Sequence, residues 1–350
     1  YLRVISRSSS KMAVSNGERI LVALGGNAIK KANESGTAAE QFNNCLVTSR
    51  HLVKIMRRLG PDDRLIVTHG NGPQAGNLMV QQDSGRKSVP SQPMDVVGAM
   101  TQGQIGYMLQ QTFENCMCDE GIDRPVLVVI NQVLVDEDDE EFRGLASKPV
   151  GDFLTEAGTK AAKAEHPEYI YKEVKTKGDR RWRRVVASPA PIRNVEGALI
   201  KRLVDEGVVV IASGGGGIPV VLDEKKHLHG VEAVIDKDLS AEVLAEVVGA
   251  TSLIILTDVE QVKLNFGTKE ERPIERMTVS EAKGYLEAGQ FPLGTMGPKI
   301  SACIKFLEAG GRRALVTSLE KAAEALAGET GTLIVPNPTA SGSPEKPSNG

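Results

Sequence analysis

The sequence is poor in the residues that mark several protein classes. Its 350 residues include four cysteines, five histidines and one tryptophan, and its formal net charge is -3. The cysteines form no C-x-x-C pair, which disfavours a disulfide framework and predicts reduced thiols. No apolar run approaches the ~18 residues of a membrane span. We therefore expect a cytoplasmic protein with neither a membrane nor a nucleic-acid partner.

A metal site built by the protein itself is equally hard to find. His227 and His229 are two residues apart and would face one side of a strand, so a turn or edge strand explains them better than a metal site. The acidic run 136–141 lacks the EF-hand spacing, which favours a solvated loop over a calcium site. We expect no metal ligands from the chain.

The two ends of the chain are expected to be disordered. Residues 1–17 are Ser-rich and basic, which resembles a transit peptide in composition only. Because Met12 can serve as the native start, we interpret 1–11 as vector sequence and 1–17 as a disordered tag. The tail 337–350 is rich in Ser, Pro, Gly and Asn and is expected to be disordered.

Glycine is abundant, with 36 residues, and it clusters in turns after apolar runs. The run 19–24 ends in Gly25-Gly26-Asn27-Ala28, and Leu65-Ile66-Val67 leads into the motif 68–76, Thr-His-Gly-Asn-Gly-Pro-Gln-Ala-Gly. A third run, 208–212, precedes the four glycines 214–217. So many glycines are costly in chain entropy, which favours close approach of a ligand over a plain loop.

The order of these elements predicts an α/β protein with an open, mainly parallel sheet. Apolar periodicity predicts helices at 38–59, 95–119, 240–248, 279–288 and 298–309, and further strands at 125–130, 253–259, 313–317 and 332–335. Ligands of such sheets bind beyond the carboxyl ends of the strands, where the glycine turns would lie.

The alternation of predicted strands and helices is interrupted between 137 and 192. Apolar runs at 169–174 and 182–186 predict an inserted hairpin with a basic cluster around Trp182. The cluster could bind nucleic acid. The favoured interpretation is an exposed hairpin edge whose charged side chains prevent pairing with another chain.

Three lysines occur in or beside such turns: Lys148, Lys237 and Lys299. No Ser/His/Asp or Cys/His arrangement accompanies them. Asp238 fits equally well as a helix cap or as a partner of Lys237. Lysines with oriented backbone N–H groups suit phosphoryl transfer, and an acceptor that is already an anion needs no base.

Five segments of the sequence carry a resemblance to a known family: 25–28, 69–76, 148–151, 233–239 and 294–299. They resemble the signature segments of the carbamate kinase family, within the amino acid kinase superfamily, and the resemblance runs from 19 to 335. It implies a three-layer αβα sandwich around a large, mainly parallel sheet, with a small protruding subdomain at 137–192. It also implies a carbamate-binding half (18–235), a nucleotide-binding half (236–336) and a homodimer.

The resemblance implies transfer of the ATP γ-phosphoryl group to carbamate with Mg²⁺, giving carbamoyl phosphate and ADP; the reverse reaction makes ATP at the end of arginine fermentation. Lys237 and Lys299 would neutralise the moving phosphoryl group, Asp238 would organise them, and Lys148 would reach over the site. Implied substrate contacts are Gly25, Gly26, Asn27, Gly70, Asn71, Gly72, Gly214, Gly215 and Gly216. Implied nucleotide contacts are Thr257, Asp258, Gly294, Met296, Gly297 and Lys299. His69 would serve the turn's structure.

Three alternatives compete with this interpretation. A sister kinase acting on acetylglutamate, aspartate or UMP is disfavoured by the insertion and by Lys148, and the turns 25–28 and 69–76 hold no basic residue for a second carboxylate. A dinucleotide-binding dehydrogenase would use Gly70-x-Gly72 with Asp95, but the prolines within 89–93 exclude the strand it needs. A non-catalytic protein of this fold would not need the three lysines.

Overall fold

The computed structural model describes residues 17–29, 34–292 and 294–338. The expected vector segment 1–11 and nearly all of the expected disordered tail lie outside these residues. In the described ranges the α-helices are α1 (Ala38–Met56), α2 (Gly72–Gly85), α3 (Met94–Asp119), α4 (Glu156–Glu165), α5 (Gly197–Asp205), α6 (Lys237–Val248), α7 (Val279–Glu287), α8 (Met296–Glu308) and α9 (Ala322–Leu326). The helices predicted from periodicity are confirmed as α1, α3, α6, α7 and α8.

The strands of the same ranges are β1 (Arg19–Leu24), β2 (Arg64–His69), β3 (Val126–Val128), β4 (Gln132–Val135), β5 (Lys148–Leu154), β6 (Ile170–Glu173), β7 (Trp182–Val186), β8 (Pro191–Asn194), β9 (Val209–Ile211), β10 (Ile218–Leu222), β11 (Leu228–Gly230), β12 (Ser252–Thr257), β13 (Lys263–Leu264), β14 (Arg272–Pro273), β15 (Arg276–Thr278), β16 (Arg313–Ser318) and β17 (Thr332–Val335). Within the described residues, the largest sheet has eight strands in the order β15-β17-β16-β12-β1-β2-β9-β3. Every pairing in it is parallel except β16 with β17. The predicted mainly parallel sheet is confirmed.

Helices cover both faces of this sheet. Along β1, Leu21 and Ala23 point into a core shared with α5, α6, α7 and α8. Ile20, Val22 and Leu24 point the other way, into a core shared with α1, α3 and α9. Alternate strand residues face opposite sides, so β1 is buried on both faces and the three-layer αβα sandwich is confirmed.

Three smaller sheets accompany the main one in the described residues, and the smallest is the pair β13-β14. A four-stranded sheet has the order β11-β10-β4-β8. The strand predicted at 125–130 is therefore shorter than expected, since the chain leaves the large sheet after β3 and joins this one at β4. The buried amide of Asn131 marks the change: its Oδ1 accepts from Ser213 N at 2.6 Å.

The inserted region forms a separate subdomain, residues 148–186. Strands β5, β7 and β6 make an antiparallel sheet, and α4 packs against it. The predicted hairpin is β6 paired with β7. Among its basic residues, Arg180 pairs with Asp152 at 2.6 Å and Arg181 pairs with Glu173 at 2.9 Å. These pairs support the charged hairpin edge rather than a nucleic-acid surface.

The other charged features also have structural partners. The side chain of Glu141 accepts from the backbone N–H groups of Ser147 and Ser188. The acidic run therefore contacts the segments just before β5 and just after β7, at the base of the subdomain. His227 and His229 flank Leu228 at the sheet edge and face Asp223. Across the described residues, no group of three or more His, Cys, Asp or Glu is placed to hold a metal. No helix within those ranges is long and apolar enough to cross a membrane.

Candidate active site

A cavity of about 390 Å³ opens at the carboxyl ends of β1, β2 and β12. This is the edge where parallel α/β sheets bind ligands. The residues predicted for the site that line the cavity are Gly26, Gly70, Asn71, Gly72, Lys148, Gly215, Lys237, Asp238, Thr257, Asp258, Gly294, Met296 and Lys299. Segments far apart in the sequence therefore meet at one place.

The first two glycine turns touch each other and α6. A Cβ on Gly70 would lie 3.2 Å from Gly26 N and 3.3 Å from Lys237 Cδ. That space is tighter than ordinary van der Waals contact, so a side chain at this position would push the turn or Lys237 aside. The glycine turns keep both backbones close to the lysine.

Helix N-termini surround the same cavity. α2 begins at Gly72, inside the glycine motif, and Pro73 lies in its first turn, where proline is well tolerated. α6 begins at Lys237 with Asp236 as its cap, and α8 begins at Met296. Unpaired N–H groups and the positive end of each helix dipole favour bound anions.

One buried carboxylate holds two of the predicted lysines. Asp238 Oδ1 accepts from Lys237 Nζ at 2.5 Å, and Oδ2 accepts from Lys299 Nζ at 2.9 Å. The Asp238 side chain is only 4% exposed. Burial raises the pKa of this carboxyl, but the two ammonium charges outweigh it, and the net pKa lies below the usual value.

The same environment acts on Lys237. Burial and the neighbouring Lys299 charge lower the pKa of Lys237, and Asp238 opposes them. The site therefore concentrates positive charge in a low dielectric and stabilises it with a single carboxylate. The structure decides between the two alternatives for Asp238: it pairs with Lys237 from the first turn of α6, and the helix cap is Asp236.

The third lysine reaches the cavity from the subdomain. Lys148 opens β5, and its Nζ lies 2.9 Å from Asp236 Oδ2. These side chains are 35% and 21% exposed, which makes this pair far more open than the Asp238 cluster. Sequence reasoning missed Asp236, although its place directly before Lys237 and Asp238 was a usable signal.

Two glycines predicted for the site lie behind the cavity rather than along it. Gly25 faces the Leu256 carbonyl, and Gly297 faces the Pro292 carbonyl. Asn27 is part of the short turn Gly26–Ala28. Neither Gly25 nor Gly297 belongs to the lining given by the described residues.

The third glycine turn is shaped by protein contacts. A Cβ on Gly214 would lie 2.4 Å from His69 Nε2, and one on Gly216 would lie 2.4 Å from the Ile235 carbonyl oxygen. Gly215 lines the cavity and packs on the Asn71 amide. Close approach does explain these glycines, but at Gly214 and Gly216 the approaching groups belong to the chain.

His69 supports this packing. Its ring is 1% exposed, and Nδ1 donates to the Gly70 carbonyl at 3.0 Å. Burial lowers the pKa of His69 to about 4, so the ring is neutral at physiological pH. This location agrees with the structural role expected for it.

An apolar cavity of about 190 Å³ adjoins the first. The two share Thr257, Asp258, Thr295 and Met296. The second cavity continues along Val259, Phe291 and Pro292, with the exposed ring of Phe266 at its side. Sequence reasoning did not find it, since its walls come from the chain around β13 and the loop before α8.

Comparison with known proteins assigns the family. The model of the amino acid kinase family matches residues 18–318. A carbamate kinase from Pyrococcus furiosus is 46% identical over 322 residues, which cover 91% of this chain and 100% of the relative. A carbamate kinase from Trichomonas vaginalis is 42% identical, with 91% of this chain and 100% of the relative covered. The chain belongs to the carbamate kinases of the amino acid kinase family.

The solved structures agree with this membership. Carbamate kinase from Giardia lamblia bound to AMP-PNP matches with a TM-score of 0.85 at 38% identity, covering 92% of this chain and 100% of that one. A carbamate kinase is a phosphotransferase, so the dehydrogenase interpretation of Gly70-x-Gly72 is excluded. The resemblance found from the signature segments is confirmed.

Proposed function

We propose that the chain catalyses reversible transfer of the ATP γ-phosphoryl group to carbamate, giving carbamoyl phosphate and ADP. The observation that carries this proposal is the buried cluster of Lys237, Asp238 and Lys299 in a cavity ringed by helix N-termini. In the transition state of phosphoryl transfer, negative charge is spread over the oxygens of the transferring group. Catalysis therefore consists of positioning the reactants and neutralising that charge.

Each group of the cluster has a distinct role in the proposed transfer. Lys237 and Lys299 donate to the oxygens of the transferring group, on which charge develops. Asp238 fixes both ammonium groups and, through its charge, counteracts the effect of burial on Lys237. Carbamate is already an anion, so no proton has to be removed, and the neutral, buried His69 fits a reaction without a base.

The nucleotide would lie along the second half of the site. Its phosphates would meet the N-terminus of α8, at Gly294, Met296 and Lys299, beside Thr257 and Asp258. The base would enter the apolar cavity that continues from there. Carbamate would lie against Gly26, Gly70 and Gly72, which corresponds to the proposed division into an acceptor half (18–235) and a nucleotide half (236–336).

A divalent ion, proposed to be Mg²⁺, would arrive with the nucleotide. The carboxylates that line the cavity are Asp236, Asp238 and Asp258, and lysines contact the first two. This donor set fits an ion held mainly by phosphate oxygens and water. The ion would supply further charge neutralisation at the phosphates.

We also propose the homodimer, the cytoplasmic location and the ATP-forming direction in arginine metabolism that membership of this family suggests. Exposed apolar side chains favour a protein partner: Met100 and Tyr107 on α3, and Leu127 and Ile130 at the edge of the large sheet, are 39–57% exposed. Sedimentation of the purified chain should give twice its mass of 37.4 kDa.

The direct test of the substrate is ATP formation from carbamoyl phosphate and MgADP, followed by luminescence. Acetyl phosphate replaces carbamoyl phosphate in the control, which tests whether the enzyme distinguishes between acyl phosphates. We expect ATP from carbamoyl phosphate and far less from acetyl phosphate. If the purified chain forms no ATP from carbamoyl phosphate, the proposed function is wrong.

A further inference from the structure

Two acidic side chains fasten the subdomain to the rest of the molecule. Both lie in the connecting segment, residues 231–236, between β11 and α6. Asp236 Oδ2 accepts from Lys148 on β5 at 2.9 Å, and Glu232 Oε2 accepts from Arg184 on β7 at 2.8 Å. Each acid therefore holds one basic residue of the subdomain.

The second oxygen of each acid contacts a helix N-terminus outside the subdomain. Asp236 Oδ1 accepts from the backbone N–H of Asp238, in the first turn of α6, at 2.9 Å. Glu232 Oε1 accepts from the backbone N–H of Met94, the first residue of α3, at 3.0 Å. The two acids repeat one arrangement, in which a carboxylate joins a helix start to a subdomain base.

The backbone reinforces the same connection. Val234 N donates to the Ala187 carbonyl at 2.9 Å, directly after β7, and Ala187 also pairs with Ala233. The connecting segment thus runs beside the exit of the subdomain and leads immediately into Lys237 and Asp238. The exit of β7 and the start of α6 are therefore joined through only a few residues.

Taking the proposed function as its basis, we propose that Asp236 is a positioning residue for phosphoryl transfer. It holds the Lys148 ammonium at the cavity and fixes the first turn of α6, so the subdomain lysine and the buried cluster keep one relative placement. Glu232, outside the cavity lining, is the second fastening point. An ammonium group has three donors, so Lys148 can keep Asp236 and still donate to a substrate oxygen.

The variants Asp236→Asn and Asp236→Ser test this assignment. Asn and Ser cap helices about as well as Asp, so α6 should still form. Asn removes the charge that attracts Lys148, and Ser is too short to reach it. We expect kcat for ATP formation to fall roughly tenfold in Asp236→Asn, as for the loss of a hydrogen bond between charged groups. The thermal unfolding midpoint should not change.

A double-mutant cycle separates positioning from a general structural effect. In a Lys148→Ala background, Asp236→Asn should lower kcat by less than about twofold, because the contact is already lost. The matched control is Asp152→Asn, which breaks the exposed pair with Arg180 inside the subdomain and should leave kcat unchanged. Equal losses from Asp236→Asn in both backgrounds, or no loss in either, would overturn the proposal.

Amide hydrogen exchange tests the fastening of the subdomain independently of the proposed function. Amides of β5 should exchange faster in Asp236→Ser than in wild type or Asp152→Asn, whether or not the enzyme uses carbamate. Unchanged exchange at β5 in Asp236→Ser overturns the fastening. Faster exchange with no ATP formed by the wild type leaves the fastening standing and removes the substrate assignment.

Discussion

The cavity contains two lysine–aspartate contacts of the same length and different character. Lys299 to Asp238 and Lys148 to Asp236 both measure 2.9 Å. In the first pair the side chains are 15% and 4% exposed, and in the second they are 35% and 21% exposed. Since solvent screening weakens an exposed pair, equal distances here do not mean equal energies.

The difference follows from where each lysine comes from. Lys299 lies in the first turn of α8, which packs on the large sheet beside α6. Lys148 belongs to the subdomain, whose own sheet is separate from the large one. The molecule thus combines a buried cluster suited to transition-state charge with a more open contact at the edge of the subdomain.

Removing the buried ammonium should have the largest effect. Lys299→Ala is expected to lower kcat by roughly 10²–10³, as loss of a transition-state charge stabiliser does. Steady-state kinetics of ATP formation give the value. The control is Lys305→Ala, on an exposed position of the same helix. A kcat for Lys299→Ala equal to that of Lys305→Ala would remove Lys299 from the site.

Neutralising the shared carboxylate should affect stability as well as turnover. Asp238→Asn leaves Lys237 and Lys299 buried without a compensating charge, which should cost about 3 kcal/mol of unfolding free energy. Urea unfolding measures this loss. Asp152→Asn, which removes one partner of an exposed pair, should cost far less. Similar losses in both variants would contradict the contrast between buried and exposed pairs.

Lys148→Ala should have a smaller effect than Lys299→Ala. We expect a decrease of roughly tenfold in kcat/KM, because the variant impairs mainly the closed, productive complex. Lys160→Ala, an exposed lysine of α4 paired with Glu156, is the control within the subdomain. Kinetics of Lys148→Ala that match the wild type would mean that the subdomain has only a structural role.

The smallest expected effect is the dependence of stability on pH. The pKa of Asp238 lies below its usual 3.8, so its contribution to stability is complete above that pH and is lost as pH falls through the folded-state value. The stability difference between wild type and Asp238→Asn should therefore shrink as the pH is lowered below 3.8. A difference that stays constant through this range would show that the Asp238 charge does not stabilise the fold.

Much of this architecture was predictable because it rests on local signals. Continuous apolar runs ending in glycine identified β1, β2 and β9, and helical periodicity identified α1 and α3. Lys237 and Lys299 stood beside turns that a parallel sheet must bring to one edge. These signals depend on residues close in sequence and on a general rule of sheet topology.

The rest depended on contacts between distant segments. Asp236 and Lys148 are 88 positions apart in the sequence, and no local sequence pattern predicts that they pair. The glycines at 214 and 216 signalled tight space correctly, but sequence cannot distinguish a ligand from the His69 ring or the Ile235 carbonyl as the neighbour. The short strand β4 was not predicted, since it pairs with β10 and β8, which lie far along the chain.

The measurement that tests the central claim most directly is single-turnover phosphoryl transfer from carbamoyl phosphate to enzyme-bound MgADP. Wild type, Lys299→Ala and Lys148→Ala are compared at saturating substrate. We expect rapid transfer in wild type, a loss of roughly 10²–10³ in Lys299→Ala, and a much smaller loss in Lys148→Ala. Equal rates in wild type and Lys299→Ala would show that the buried cluster does not perform the chemistry.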